Sequence, residues 1–167
     1  MKNTIILGLL ILVSSCASKK EKASDNFNKV ELESVCPEDG KCSIAILENK
    51  IVELNTDEFG KLFYTLKEDN TKNILIYKYN RDVPQGLKDG NYREEIIIEI
   101  DKKSGLPTNS KTIYGRFCYC KGFTGYYKIL EEIEFKLKED KVFYELQFKI
   151  KQVPQIISSL NFCLSIE

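Results

Sequence analysis

The chain has 167 residues, with 25 Lys and Arg against 25 Asp and Glu, and it contains six cysteines but no histidine and no tryptophan. Balanced charge gives no electrostatic footprint for nucleic acid or for an acidic surface. The missing histidine removes Ser-His-Asp and Cys-His nucleophiles and the commonest transition-metal ligand, and with them most hydrolase mechanisms; the missing tryptophan weakens the case for a sugar-stacking platform.

In chain order, Met1-Lys2-Asn3 is followed by an uncharged apolar stretch over residues 4–13. A membrane-spanning helix needs roughly 20 apolar residues, so this stretch is too short to span and fits the core of a secretory signal. It ends Val13-Ser14-Ser15-Cys16: an aliphatic residue, two small residues, then cysteine. This resembles the lipobox of bacterial lipoproteins, and the chain is similar in style to small lipoproteins of the Bacteroidetes group. The resemblance implies that residues 1–15 are removed as a signal peptide, that the Cys16 thiol carries covalent lipid, and that the chain meets a membrane through that anchor. No other cofactor is expected. With each buried methylene worth about 0.8 kcal/mol, two or three acyl chains make the attachment effectively permanent.

Residues 16–26 form a lipidated tether: the run from Ala17 is too polar to pack and extends at most roughly 35 Å. Ala17 stands where aspartate would retain an enteric lipoprotein in the inner membrane, which favours the outer membrane. Lys19, Lys20 and Lys22 outnumber Glu21, so an acidic surface-export signal is absent and a periplasm-facing location is expected, with the cell surface as the alternative.

From residue 27 the pattern is one of strands. Residues 30–36 and 42–48 flank Pro37-Glu38-Asp39-Gly40-Lys41, whose proline and glycine supply turn geometry. Residues 51–54 follow an Asn49-Lys50 turn, and 62–67 and 74–80 flank the polar run 68–72. Then come 92–101, a connection through Gly105 and Pro107, a strand around 112–120, and two alternating stretches at 127–138 and 142–151 about Glu139-Asp140-Lys141. In the first of these the odd positions are largely apolar, in the second the even ones, as expected of half-buried strands. A short turn near 154–159 and a strand over 160–166 complete the chain.

Nine or ten strands without a convincing helix predict a single all-β domain over residues 27–167. It should be an antiparallel β-sandwich or a partly closed barrel. Leu87-Lys88-Asp89-Gly90-Asn91-Tyr92 resembles the tyrosine corner of immunoglobulin-like sandwiches, though without that family's paired cysteines or tryptophan.

With Cys16 lipidated, Cys36, Cys42, Cys118, Cys120 and Cys163 remain, an odd number, so in an oxidising compartment at least one is free or pairs with another molecule. Cys36 and Cys42 flank a five-residue turn and are expected to bridge. Cys118 and Cys120 enclose Tyr119 and in a strand would share a face. The plainer reading pairs one of them with Cys163 and buries the other; the sharper one makes them a redox pair or, with Cys36 and Cys42, a soft-metal site. No zinc-type spacing is present, and no metal site is expected.

The segment Gly122-Phe123-Thr124-Gly125-Tyr126-Tyr127 could offer Phe123 and Tyr126 to a partner or fold them back onto the core. Glu94, Glu95, Glu99, Glu131, Glu132 and Glu134 read as solvated strand faces rather than as a catalytic carboxylate pair. The expected function is a membrane-anchored, non-catalytic β domain that binds a protein or envelope component. The alternatives are a thiol-based redox or metal-binding envelope protein using Cys118 and Cys120, and a lipocalin-like carrier.

Overall fold

The structure, a computed structural model, describes residues 27–84, 86 and 89–166. The expected signal peptide, Cys16 and the tether lie outside these residues. Within them the chain is all-β, with strands β1 (Phe27–Leu32), β2 (Gly40–Thr56), β3 (Leu62–Arg81), β4 (Tyr92–Asp101), β5 (Ile113–Cys118), β6 (Gly125–Lys128), β7 (Glu134–Lys138), β8 (Lys141–Gln147) and β9 (Ser159–Ile166). A single 3-10 turn at Asn109–Lys111 is the helical geometry among the described residues; the stretch expected to turn near 154–159 is an irregular connection.

The strands form two antiparallel sheets, ordered β1-β9-β8-β7 and β2-β3-β4-β5-β6. The second sheet is a meander in chain order, unlike the ABED and CFG sheets of an immunoglobulin domain. It also curls until β6 meets the start of β3 through Leu62 opposite Tyr126, so that β3 to β6 close a small barrel. Sandwich and partly closed barrel are therefore combined in one fold.

Two long strands make that curl. β2 and β3 are continuous where polar runs suggested turns, because pairing resumes with the same partner on both sides of an irregularity between Glu48 and Lys50. Asn49 takes a left-handed φ of 56°, its N–H donates to Asn73 Oδ1 at 3.1 Å, and its own Oδ1 accepts from Lys102 Nζ at 2.9 Å. Opposite it, Asp69 accepts from the Thr71 N–H and hydroxyl. These side chains take over the backbone bonding that the ladder loses, so the hairpin bends instead of ending.

The bend creates two cores. The larger lies between the sheets, with Leu75, Tyr77, Ile96, Ile98 and Tyr114 facing Tyr144, Leu146, Leu160, Phe162 and Leu164. Tyr144 and Phe162 stack at 4.5 Å. The smaller, built on Val52, Ile74, Ile97 and Ile113, is enclosed by the folded-over half of the β2–β3 hairpin. Full burial of each such aliphatic side chain is worth roughly 1.5–3 kcal/mol.

The long alternating stretch expected at 127–138 is broken in two. β6 belongs to the five-stranded sheet and β7 to the other, with buried Ile129 and Ile133 at the crossing. On β7, Phe135 and Leu137 remain 49% and 67% exposed, not covered as the alternation implied. Lys136 and Lys138 alternate with them on this edge strand, a composition that discourages edge-to-edge pairing.

Candidate functional site

The sequence candidates gather where β5 gives way to β6. Gly115 allows close packing there: a Cβ would come within 2.7 Å of Tyr126 Cε1 and 3.0 Å of Glu95 Cγ. β5 ends at Cys118, and the chain then swings outward instead of continuing as a strand to residue 120. Gly125, opposite Arg116, restarts the ladder with a φ of 139° that few other residues adopt. Thr124 Oγ1 clamps the base of the loop, accepting from the Cys118 N–H at 3.2 Å and donating to its carbonyl at 3.3 Å.

The outward swing brings Cys118 and Cys120 together, with Cα atoms 5.2 Å apart and a disulfide between them. The expected bridge from Cys163 to one of them does not form. Cys163 sits in β9, in the other sheet, and is a buried free thiol. Cys36 and Cys42 bridge as expected, across a Cα separation of 5.7 Å, and the Tyr77 hydroxyl donates to Cys42 Sγ at 3.0 Å. The chain-entropy relation gives roughly 2 kcal/mol for closing that loop but only about 1.5 kcal/mol for the shorter Cys118–Cys120 ring. The second bridge is the weaker brace.

Arg116 fixes the chemistry beside this ring. Only 8% exposed, it donates from Nη1 to Cys120 Sγ at 3.0 Å and to the Phe123 carbonyl at 2.9 Å, and from Nε to the Tyr92 hydroxyl at 3.2 Å. Its guanidinium also lies 5.1 Å from the centre of the Tyr92 ring. Tyr92 itself donates to Glu94, whose side chain is buried.

Two clefts meet at this loop. One, of about 500 Å³, is lined by Arg81, Arg93, Tyr92, Phe117, Cys118 and Tyr119. The other, of about 440 Å³, is lined by Lys61, Cys118, Tyr119, Cys120 and Lys121. Between them Tyr119 stands 83% exposed. The arginine side is held by a relay in which Tyr79 donates to Asp39 Oδ1 at 2.7 Å and Arg81 Nε lies 2.8 Å from Asp39 Oδ2. The Tyr79 hydroxyl, together with Arg81, keeps the Asp39 carboxyl below its ordinary range. Burial first, then Asp39, pushes Tyr79 up to about 12. Arg93 lies over the Phe117 ring at 4.3 Å.

Phe123 is 46% exposed at the loop, as its candidacy for binding required. Tyr126 is not free to bind. Its hydroxyl donates to Glu95 Oε1 at 2.5 Å and its ring meets Tyr64 and Phe117 edge-on. Tyr119 is the exposed aromatic that the sequence reading passed over, because a residue between two strand cysteines was expected simply to face the opposite side of a sheet.

The glutamates also divide. Glu131, Glu132 and Glu134 are exposed as expected, but Glu94, Glu95 and Glu99 are at most 4% exposed. Glu94 accepts from the Ile156 and Ile157 N–H groups at 2.7 and 2.8 Å, and Glu99 accepts from the Val52 N–H at 2.9 Å. They bind backbone donors and hold strands in place.

On the opposite sheet, Cys163 Sγ faces Glu33 Oε1 at 3.5 Å and Glu31 Oε2 at 3.8 Å. These ligand atoms lie within 4.8 Å of one another, but Lys141 Nζ already occupies Glu31 at 3.0 Å. Burial first, then the Glu33 contact, raises the Cys163 thiol, which favours its protonated, unreactive form. Comparison with protein families, curated proteins and solved structures finds no match for this chain.

Proposed function

We propose that this protein is a lipid-anchored component of the bacterial envelope, held through Cys16 at the outer membrane and facing the periplasm, whose β domain binds another protein through the Cys118–Gly125 face. One observation carries the binding reading: Tyr119, 83% exposed, stands where two clefts meet. An exposed tyrosine flanked by concave surface has the chemistry of an interface anchor, and Lys61 and Lys121 in the second cleft suit an acidic segment. Arg81 and Arg93 in the first cleft are instead paired with Asp39 and Glu95 and share that cleft with Asp89. The carrier alternative has less support, because Val52, Ile74, Ile97 and Ile113 fill the closed part of the sheet.

The anchor rests on Val13-Ser14-Ser15-Cys16. Cys16→Ser should abolish acyl labelling and leave either uncut precursor or a released form; unchanged labelling would remove the anchor from the proposal. For the face, a photoreactive aromatic amino acid placed at Tyr119 should give one discrete adduct in cells. Lys61→Glu with Lys121→Glu should weaken it at least tenfold. The same probe at Leu137, 67% exposed on the other sheet, should give none. Equal adducts from both positions would mean that Tyr119 marks no specific interface.

A further inference from the structure

We infer that the Cys118–Cys120 bridge is a thiol–disulfide exchange centre that accepts an electron pair from a dithiol protein, with attack at Cys118 and departure of Cys120 as a thiolate held by Arg116. This deepens the binding reading, since it uses the same face and names the chemistry of its partner. Three features of the molecule carry it.

The first is access. Cys118 lines both clefts, whereas Cys120 lines one, so the ring is open to an incoming thiolate from two sides at Cys118 and from one at Cys120. The second is the leaving group. Exchange is faster when the departing sulfur is the better-stabilised thiolate, and Arg116 already donates to Cys120 Sγ. The third is the state of Arg116, which is nearly buried and directly contacts the neutral atoms of Tyr92, Phe123 and Cys120. The carboxylate opposite it, Glu94, is linked to it through the Tyr92 hydroxyl and already accepts from the N–H groups of Ile156 and Ile157. A buried cation gains from an anion beside it. Opening the bridge supplies one, so the fixed guanidinium favours the reduced form and makes the disulfide a readier oxidant than one without such a neighbour.

In the exchange, the first partner thiolate forms a bond to Cys118 Sγ as the Cys118–Cys120 bond breaks, and Cys120 departs with the electron pair. The partner's second thiolate then attacks the partner sulfur of the mixed disulfide. That releases Cys118, which takes a proton from solvent. The partner ends as a disulfide, and Cys118 and Cys120 hold its two electrons. Cys163 contrasts at each point: covered, and facing carboxylates instead of a guanidinium.

The full lipidated chain in detergent micelles, equilibrated in graded glutathione redox buffers and trapped by alkylation, tests this without a protein partner. Its failure would therefore leave the binding face standing. Mass spectrometry should find Cys118 and Cys120 opened at ratios where Cys36–Cys42 remains closed. Cys120→Ser should collect a mixed disulfide with glutathione on Cys118. In Cys118→Ser, alkylation of Cys120 should titrate with a midpoint below ~7.5, against an ordinary thiol near 8.5. Arg116→Gln should raise that midpoint and slow opening at least tenfold, with Arg116→Lys intermediate. Cys118–Cys120 opening no earlier than Cys36–Cys42, or a Cys120 midpoint at or above the ordinary value in the Arg116 background, would overturn the inference. The last measurement does not depend on whether the Arg116 variants fold.

Discussion

Strand β4 has two buried faces, and they solve different problems. Its even positions, Ile96, Ile98 and Ile100, point between the two sheets into the larger core. Its odd positions, among them Glu95, Ile97 and Glu99, point under the bent β2–β3 hairpin, where Ile97 joins Val52, Ile74 and Ile113. The first face is held between two complete sheets. The second is closed by a hairpin flap that carries an irregularity at Asn49. A core backed by a sheet on each side has little room to collapse into a void, whereas a flap can move to fill one.

Truncation should expose that difference most strongly. Ile98→Ala is expected to cost about 4 kcal/mol and Ile97→Ala about 2 kcal/mol in urea unfolding, within the range for isoleucine cavities and ordered by the capacity to relax. Equal costs would mean that the flap is as rigid as the sheets. The glutamates give the next comparison. Glu94→Gln replaces an acceptor used by two backbone N–H groups with an amide that can accept at only one oxygen, and should cost roughly 2–3 kcal/mol. Glu99→Gln can keep its single Val52 bond and should cost no more than about 1 kcal/mol. A larger loss from Glu99 would show that the smaller core depends on charge as well as on packing.

The smallest effect belongs to the end of β4. The Ser104 N–H and hydroxyl, with Lys72, hold the Asp101 carboxyl down at about 2, against burial. A folded value below the ordinary one, near 3.9, adds stability above that pH and loses it as pH falls from about 4 to 2. The group is partly solvated, so its worth is under about 1 kcal/mol. Asp101→Asn should flatten that part of the acid limb in a pH series of thermal melts. An unchanged limb would assign the acid sensitivity elsewhere.

Alternation made β8 legible, because Val142, Tyr144 and Leu146 reach the core on a single face. It misled at 127–138 because period two reports which side a residue faces, not which sheet the strand has joined. The chain changes sheet between Ile129 and Ile133 without breaking the pattern. Asn49 and the polar run near Asp69 did mark bends, but a bend that keeps its pairing partner has the same local chemistry as a turn that ends a strand. Glu94 and Glu99 looked solvated because their partners, the N–H groups of residues 156, 157 and 52, are brought to them only by tertiary structure. The candidate site was half legible. Cys118 and Cys120 were marked by composition, but their mutual bridge depends on β5 stopping at Cys118, and the contact from Arg116 cannot be read from spacing.

The register of β1 gives the domain a direction. Phe27 lies opposite Ile166 and Leu32 opposite Phe162, so the strand starts beside the end of β9 and runs toward its beginning. Ser34 continues to Asn161, Glu94 meets Ile156 and Ile157 just ahead of β9, and Tyr92 pairs with Cys118. The cysteine loop thus lies toward the pole where β1 finishes, and the six residues of β1 alone separate its ends by roughly 17 Å. Tyr119 and the Cys118–Cys120 ring therefore stand at the end of the domain remote from Phe27, on the far side of the strand with which the described chain begins. If the attachment proposed at Cys16 holds, the loop is the part of the domain farthest along the chain's first strand from that attachment, and a partner would meet it at the outer pole instead of beside the anchor.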